Sequence, residues 1–249
     1  MNNNKVFLIL GASSDLGLAL VRKLNEDYTD STFCLHYHSN SEALEALPFS
    51  NGNRSVLLQA DLSSDTDVQV LLDDLAAKEL SPTHIVHLCA SKMMYTKLKD
   101  FDAERLDKNV RIQVYSFVRI LKAFLPAMAK RKQHDKVVAV ISSVASGKPP
   151  KSMLEYTAVK SMLFGVIKQL AADYEGKKVC INGISPSMIE TKFLSDLDPR
   201  LVEMAAEVSP ENRNAKPEDI VPAIAFLLSE DSNYMNGVNL NVSNGSVII

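Results

Sequence analysis

The chain has little net charge, few cysteines and no long hydrophobic run, and each shortage removes a class of function. Its 27 Lys and Arg against 30 Asp and Glu leave a formal charge of −3. So even a balance gives no reason to expect nucleic acid or an anionic membrane as partner, since either favours a strongly basic surface. The apolar run at residues 6–10, after Met1-Asn2-Asn3-Asn4-Lys5, is interrupted by Gly11 and is too short for a signal-peptide core. No other stretch approaches membrane-spanning length. Cys34, Cys89 and Cys180 lie far apart in apolar segments. They read as small buried hydrophobes in a reducing compartment, neither a disulfide framework nor a metal site. The cytoplasm is therefore the expected location, and no metal is expected. Repeats, low-complexity tracts and dividing linkers are also missing, so residues 1–249 are expected to form one domain.

What is present is a regular alternation. Short runs rich in Val, Ile and Leu stand at residues 5–10, 32–37, 55–59, 85–88, 137–141, 179–184 and 238–242. They lack strict polar–apolar alternation, as strands do when both faces of a parallel sheet are covered. Helical patterns fill the gaps at 16–25, 65–78, 106–131, 153–174 and 217–228, and the longest gap, before residue 137, has room for two helices. Pro217 suits a first helical turn, with Glu218 and Asp219 well placed against the helix dipole. The pattern predicts an α/β fold: a single Rossmann-type, doubly wound parallel sheet of about seven strands with helices on both faces.

Between the first strand and first helix lies Gly11-Ala12-Ser13-Ser14-Asp15-Leu16-Gly17. One glycine suits a tight backbone turn and the other a close approach of helix to sheet. The free amides at the helix start can then bind a pyrophosphate. Asp15 is awkward there, because its carboxylate must point away if a dinucleotide binds. At the end of the second strand, NAD binding calls for a carboxylate on the adenosine ribose. The chain offers His36-Tyr37-His38-Ser39-Asn40 instead, with no acid before Glu42. Polar, potentially cationic groups suit a ribose 2′-phosphate, so NADP(H) is favoured over NAD(H), with His38 and Ser39 as contacts. Asp61, followed by Leu62, is a candidate for the adenine, or a capping neighbour of Ser63 and Ser64.

Tyr156 and Lys160 are four residues apart in a helical stretch, hence on one face. A neighbouring ammonium favours the phenolate and lowers a tyrosine pKa from about 10, which makes Tyr156 a general acid toward a carbonyl or a base toward an alcohol. The spacing alone recurs at Tyr95/Lys99 and Tyr174/Lys178. What distinguishes Tyr156 is Ser143, thirteen residues earlier and just past a buried strand, with Gly147, Pro149 and Pro150 turning the chain between them. Ser161 precedes Tyr174 by the same interval, but both lie on one helix, about 20 Å apart. Pro82 holds the matching place before Tyr95.

With these motifs the sequence closely resembles the short-chain dehydrogenase/reductase family, and within it the 3-oxoacyl-[acyl-carrier-protein] reductases. The resemblance runs from Val6 to the 237–242 tail and includes Gly11…Gly17, Asp61-Leu62, Cys89-Ala90-Ser91, Ser142-Ser143, Tyr156…Lys160 and Ser185-Pro186. It implies that Ser143 hydrogen-bonds the substrate carbonyl and Tyr156 transfers the proton. Lys160 would hold the nicotinamide ribose, while Ile189 and Thr191, after Pro186, would meet the carboxamide. It also implies a homotetramer or homodimer joined through helices 106–131 and 153–174. Four positions depart from the family pattern. Asp15 replaces the middle glycine, Leu88-Cys89-Ala90-Ser91 replaces Asn-Asn-Ala-Gly, and Ser187 replaces a glycine. Gln113 falls where the family has its proton-relay asparagine, with Asn109 one turn too early.

The expected activity is reversible hydride transfer between NADP(H) and a ketone/secondary-alcohol pair, with a 3-oxoacyl thioester as one candidate substrate. Residues 191–214, with Phe193, Leu194, Leu197, Leu201 and Met204, are expected to form a substrate lid. Lys130-Arg131-Lys132 could meet an acidic acyl carrier protein or simply be a solvated helix end. The rival reading is a nucleotide-binding sensor or scaffold of the same fold with weak or no turnover. Gln113 and the 88–91 turn motivate it; the retained Ser143, Tyr156 and Lys160 argue against it.

Overall fold

Strand β1, Val6–Leu10, shows why the strand sequences do not alternate: Phe7 and Ile9 enter one apolar layer, Leu8 and Leu10 the other, and all four are fully buried. The computed structural model describes residues 2–248. After β1 come α1 (Asp15–Asp27), β2 (Thr32–Tyr37), β3 (Arg54–Gln59), α2 (Asp65–Ala77) and β4 (His84–His87). A long rod, α3, joins Ala103–Val110, a π turn at Arg111–Tyr115 and Ser116–Met128. Then follow β5 (Asp135–Val140), α4 (Leu154–Asp173), β6 (Val179–Pro186), α5 (Pro199–Glu207), α6 (Pro217–Leu228) and β7 (Asn239–Val242). The sheet order is β3-β2-β1-β4-β5-β6-β7, every pairing parallel.

Helices cover both faces. Leu71 and Leu75 of α2, Phe117 and Leu121 of α3, and Leu163 and Ile167 of α4 pack on one. Leu20 and Leu24 of α1 and Ile220 and Ile224 of α6 pack on the other. The strand order reverses between β1 and β4, and ligands of doubly wound sheets bind at the carboxyl ends of strands flanking such a switch point.

Three features differ from the sequence-based expectation. The longest gap holds one rod rather than two helices, and it begins at Ala103 because the Asp102 carboxylate caps the amides of Glu104 and Arg105. Short helices at Glu42–Glu45 and Ser143–Ser146 and the helix α5 had no strong periodicity to announce them. A two-residue parallel pair, Asn2–Asn3 with Tyr28–Thr29, stands outside the main sheet.

Candidate active site

Two glycines shape the turn after β1. Gly11 has φ +83°, a left-handed conformation, and a Cβ there would lie 3.1 Å from Cys89 Sγ and 3.3 Å from the Cys89 amide nitrogen. At Gly17 a Cβ would lie 2.5 Å from the Ala12 carbonyl oxygen, so only glycine lets α1 approach the turn this closely. Ser14 is the N-cap: its hydroxyl accepts from the Gly17 amide at 3.1 Å and donates to the Gly11 carbonyl at 2.8 Å. The Asp15 carboxylate accepts a 2.7 Å bond from the Lys192 amide, tying the turn to the segment after β6. Open backbone, a capped helix start and an occupied carboxylate make this a turn that fits a dinucleotide phosphate.

His36 serves this turn in a way the sequence did not suggest. It is 3 % exposed, its Nδ1 accepts from the Gly11 amide at 3.1 Å, and its Nε2 donates to the Ala60 carbonyl at 3.1 Å. Burial pushes its pKa down to about 4, so it is neutral and cannot supply charge to a phosphate. His38, exposed, is the imidazole left at that corner, 3.9 Å from Asp61. Asp61 accepts from the Ser63 amide and hydroxyl at 2.8 and 2.7 Å, the capping geometry weighed above.

A cavity of about 710 Å³ opens at the carboxyl ends of the strands. Ser13, Ser14, Asp15 and Leu16 line it from the turn, Ser39 from the loop after β2, and Ala90 from the loop after β4. Pro186, Ile189 and Thr191 line it after β6, and Ser143, Tyr156 and Lys160 complete the set of sequence candidates along its wall. Gly11, Gly17, His38, Asp61, Leu62, Cys89, Ser91 and Gln113 are not part of the lining; Leu62 and Gln113 are buried in the body of the protein.

The proton-handling group differs in detail from the expectation. Lys160 is buried, donates to the Val140 carbonyl at 3.2 Å and sits 5.8 Å from the centroid of the Tyr156 ring. Burial pulls its pKa down to about 8. The lysine therefore does not pull the phenol down as predicted: burial raises the Tyr156 pKa, opposed by a hydrogen bond with the Ser142 hydroxyl. The Ser142 hydroxyl is the one that opposes that rise, and Ser142 and Ser143 line the same wall. Glu155, next to Tyr156, takes a two-pronged bond from Arg105 at 2.7 and 2.6 Å, which fixes the start of α4 against α3.

Gln113 sits in the π turn. The Ser116 amide reaches back five residues to Arg111, and the Ser116 hydroxyl takes the Ile112 carbonyl at 2.7 Å. The Gln113 carbonyl is taken by His87 Nε2 at 2.9 Å, and the His87 ring stacks on Phe117 with centroids 4.5 Å apart. A carbonyl oxygen only accepts, so Nε2 carries the proton. His87 Nδ1 and Gln113 Oε1 are buried with no hydrogen-bond partner among the described residues. Sequence reasoning missed His87, which reads as an ordinary strand residue, and Tyr95, set aside as a decoy, which lines the cavity.

A family model described as enoyl-(acyl carrier protein) reductase matches residues 11–246. The chain belongs to the short-chain dehydrogenase/reductase family. It is 29 % identical over 245 residues to dehydrogenase/reductase SDR family member 4 of Rattus norvegicus, covering 98 % of this chain and 87 % of that one. In fold, this short-chain dehydrogenase/reductase superposes on the 3-ketoacyl-(acyl-carrier-protein) reductase of Brucella melitensis complexed with NADH, with TM-score 0.84, 23 % identity and 99 % of each chain covered. It superposes equally on the L-sorbose reductase of Gluconobacter frateurii complexed with NADPH and L-sorbose, with TM-score 0.86, 21 % identity, and 99 % and 98 % coverage. These two likenesses carry the fold, and the family model carries the family. Among the described residues no helix is long and apolar enough to cross a membrane, and no three His, Cys, Asp or Glu side chains gather as a metal site.

Proposed function

We propose that this short-chain dehydrogenase/reductase is an NADP(H)-dependent enzyme that interconverts a ketone and a secondary alcohol. The supporting observation is one cavity into which the Gly11–Gly17 turn, Tyr156, Lys160 and the Ser142–Ser143 pair all open. The first turn of α1, from Ser13 to Leu16, would receive the cofactor phosphates, and Ile189 and Thr191 the carboxamide. When bound, the nicotinamide supplies or accepts the hydride. Tyr156 gives the proton to the carbonyl oxygen during reduction and recovers it from the alcohol during oxidation. Ser143, with Ser142 beside it, orients that oxygen. Lys160, whose pKa of about 8 lies near the working pH, binds the ribose and restores the Tyr156 proton.

Preference for NADP(H) rests on His38 and Ser39, with no carboxylate at the end of β2. Binding constants for the two dinucleotides test it, and tighter NAD binding overturns it. Residues 191–214 form the lid of this one-domain enzyme, held by the Asp15–Lys192 bond and the 2.8 Å Lys92–Asp196 ion pair. Exposed Tyr115, Val118 and Met162 on α3 and α4 support self-association through those helices. A carrier-borne 3-oxoacyl thioester has weaker support, since Arg131 of the basic triplet is committed to Asp135, Ser81 and Pro82.

NADPH binding followed by ketone-dependent oxidation tests the assignment. Tyr156→Phe is expected to keep cofactor affinity within a few fold while turnover falls roughly 10²- to 10⁴-fold. Unchanged turnover in that variant, or cofactor binding with no ketone oxidising NADPH, would favour the nucleotide-binding scaffold that the altered residues 88–91 and the occupied Gln113 carbonyl suggest.

A further inference from the structure

The half of the cavity beyond Tyr156 is built from apolar side chains. Met93, Met153, Leu194 and Leu197 form a buried cluster, and Tyr156 itself packs against it together with Met188 and Phe193. Three methionines from three separate segments give the wall length and softness, which suits flat or branched apolar groups of varied outline. Two of the basic groups near this half are already paired. Lys92 pairs with Asp196 at 2.8 Å, and Arg213 pairs with Asp219 at 2.6 Å and Glu211 at 2.9 Å. The Asn214 side-chain amide donates to the Val202 carbonyl at 3.0 Å. Lys192 also lines the cavity, with its backbone amide bonded to Asp15.

A carboxylate or phosphate pressed against this cluster would lose its water without gaining a partner there, and a polyol would leave the hydroxyls on that side unpaired. From this we infer that the substrate is an uncharged, mainly apolar ketone with an aryl or branched-alkyl flank, and not a sugar, an oxo acid or a phosphorylated ketone. The inference rests on the reading of Tyr156 as the group that meets the carbonyl, but it concerns what the cavity accepts and not how fast it reacts.

Binding and turnover are therefore measured separately. On Tyr156→Phe loaded with NADPH, dissociation constants are compared for 1-phenyl-1-propanone, 4-acetylbenzoate and fructose by changes in NADPH fluorescence. The aryl ketone is expected to bind at least tenfold more tightly than either rival. Equal or tighter binding of the carboxylate or the sugar overturns the proposal, whatever the wild-type turnover; absent turnover with the expected binding order overturns only the assigned reaction. Asp196→Asn supplies the second arm. Asp196 is half exposed, so the fold tolerates the change, and it releases the Lys92 ammonium at the cavity rim. Affinity for 4-acetylbenzoate is expected to rise at least fivefold, while that for 1-phenyl-1-propanone stays within twofold. A variant that leaves the carboxylate as weak as before refutes the claim that ion pairing closes the site to anions.

Discussion

Replacing Lys160 by methionine should remove activity and yet make the unliganded fold more stable. Burial lowers the lysine pKa from 10.5 to about 8, and at about 1.4 kcal/mol per pH unit the charged form is disfavoured by roughly 3 kcal/mol. At pH 7 the folded protein bears that cost in full. Between pH 8 and 10.5 the unfolded chain binds more protons at this position than the folded one, so wild-type stability rises with pH across the window. Other groups titrate there too, but they are common to both proteins and cancel in the difference. Urea unfolding of wild type and Lys160→Met from pH 7 to 10.5 should show the variant's advantage shrinking by about 3 kcal/mol. A difference that is flat across the window, or that widens, would refute the view that the ammonium is held against its solvation.

Other outcomes follow from the same geometry. Asp15→Gly removes a carboxylate from the phosphate turn and should tighten NADPH binding several fold by fluorescence titration; unchanged or weaker binding contradicts the placement. Gly17→Ala forces a methyl to within 2.5 Å of the Ala12 oxygen, and a loss of roughly 1–3 kcal/mol in chemical unfolding is expected, with NADPH binding impaired. Acid should unfold the protein early. His36, His84 and His87 are buried with pKa values of about 4, 3 and 3, so each holds stability above pH 6.5 that is lost as pH falls toward its folded value. That loss is about 2 kcal/mol per histidine at pH 5, partly offset by Asp135, whose pKa is raised to about 6. A urea midpoint identical at pH 7 and pH 5 would exclude it.

The layer architecture was legible because Val, Ile and Leu runs too short for helices kept recurring between amphipathic stretches. The turn between Gly11 and Gly17 and the spacing of Ser143, Tyr156 and Lys160 pointed to residues that line one cavity, since backbone shape and helical phase are local properties. What escaped were contacts made across the sheet. His36 looked like a potential phosphate ligand because nothing nearby in sequence reveals that Gly11 and Ala60 close over it. Ser142 and Ser143 are neighbours in sequence, and counting alone does not show that the Ser142 hydroxyl bears on the phenol. The Lys160 ammonium was expected to serve the tyrosine, but a strand carbonyl, Val140, competes for it.

The π turn in α3 amounts to one surplus residue in an otherwise regular rod. Each residue turns an α-helix by roughly 100°, so shortening the stretch 111–115 by one would swing everything before it out of phase with everything after. The upstream half holds Arg105, which grips Glu155 beside Tyr156; the downstream half holds Phe117, on which the His87 ring rests. A chain with one residue fewer there could keep the arginine grip or the imidazole stack, but not both. The bulge is thus a spacer that lets one rod meet both partners at once.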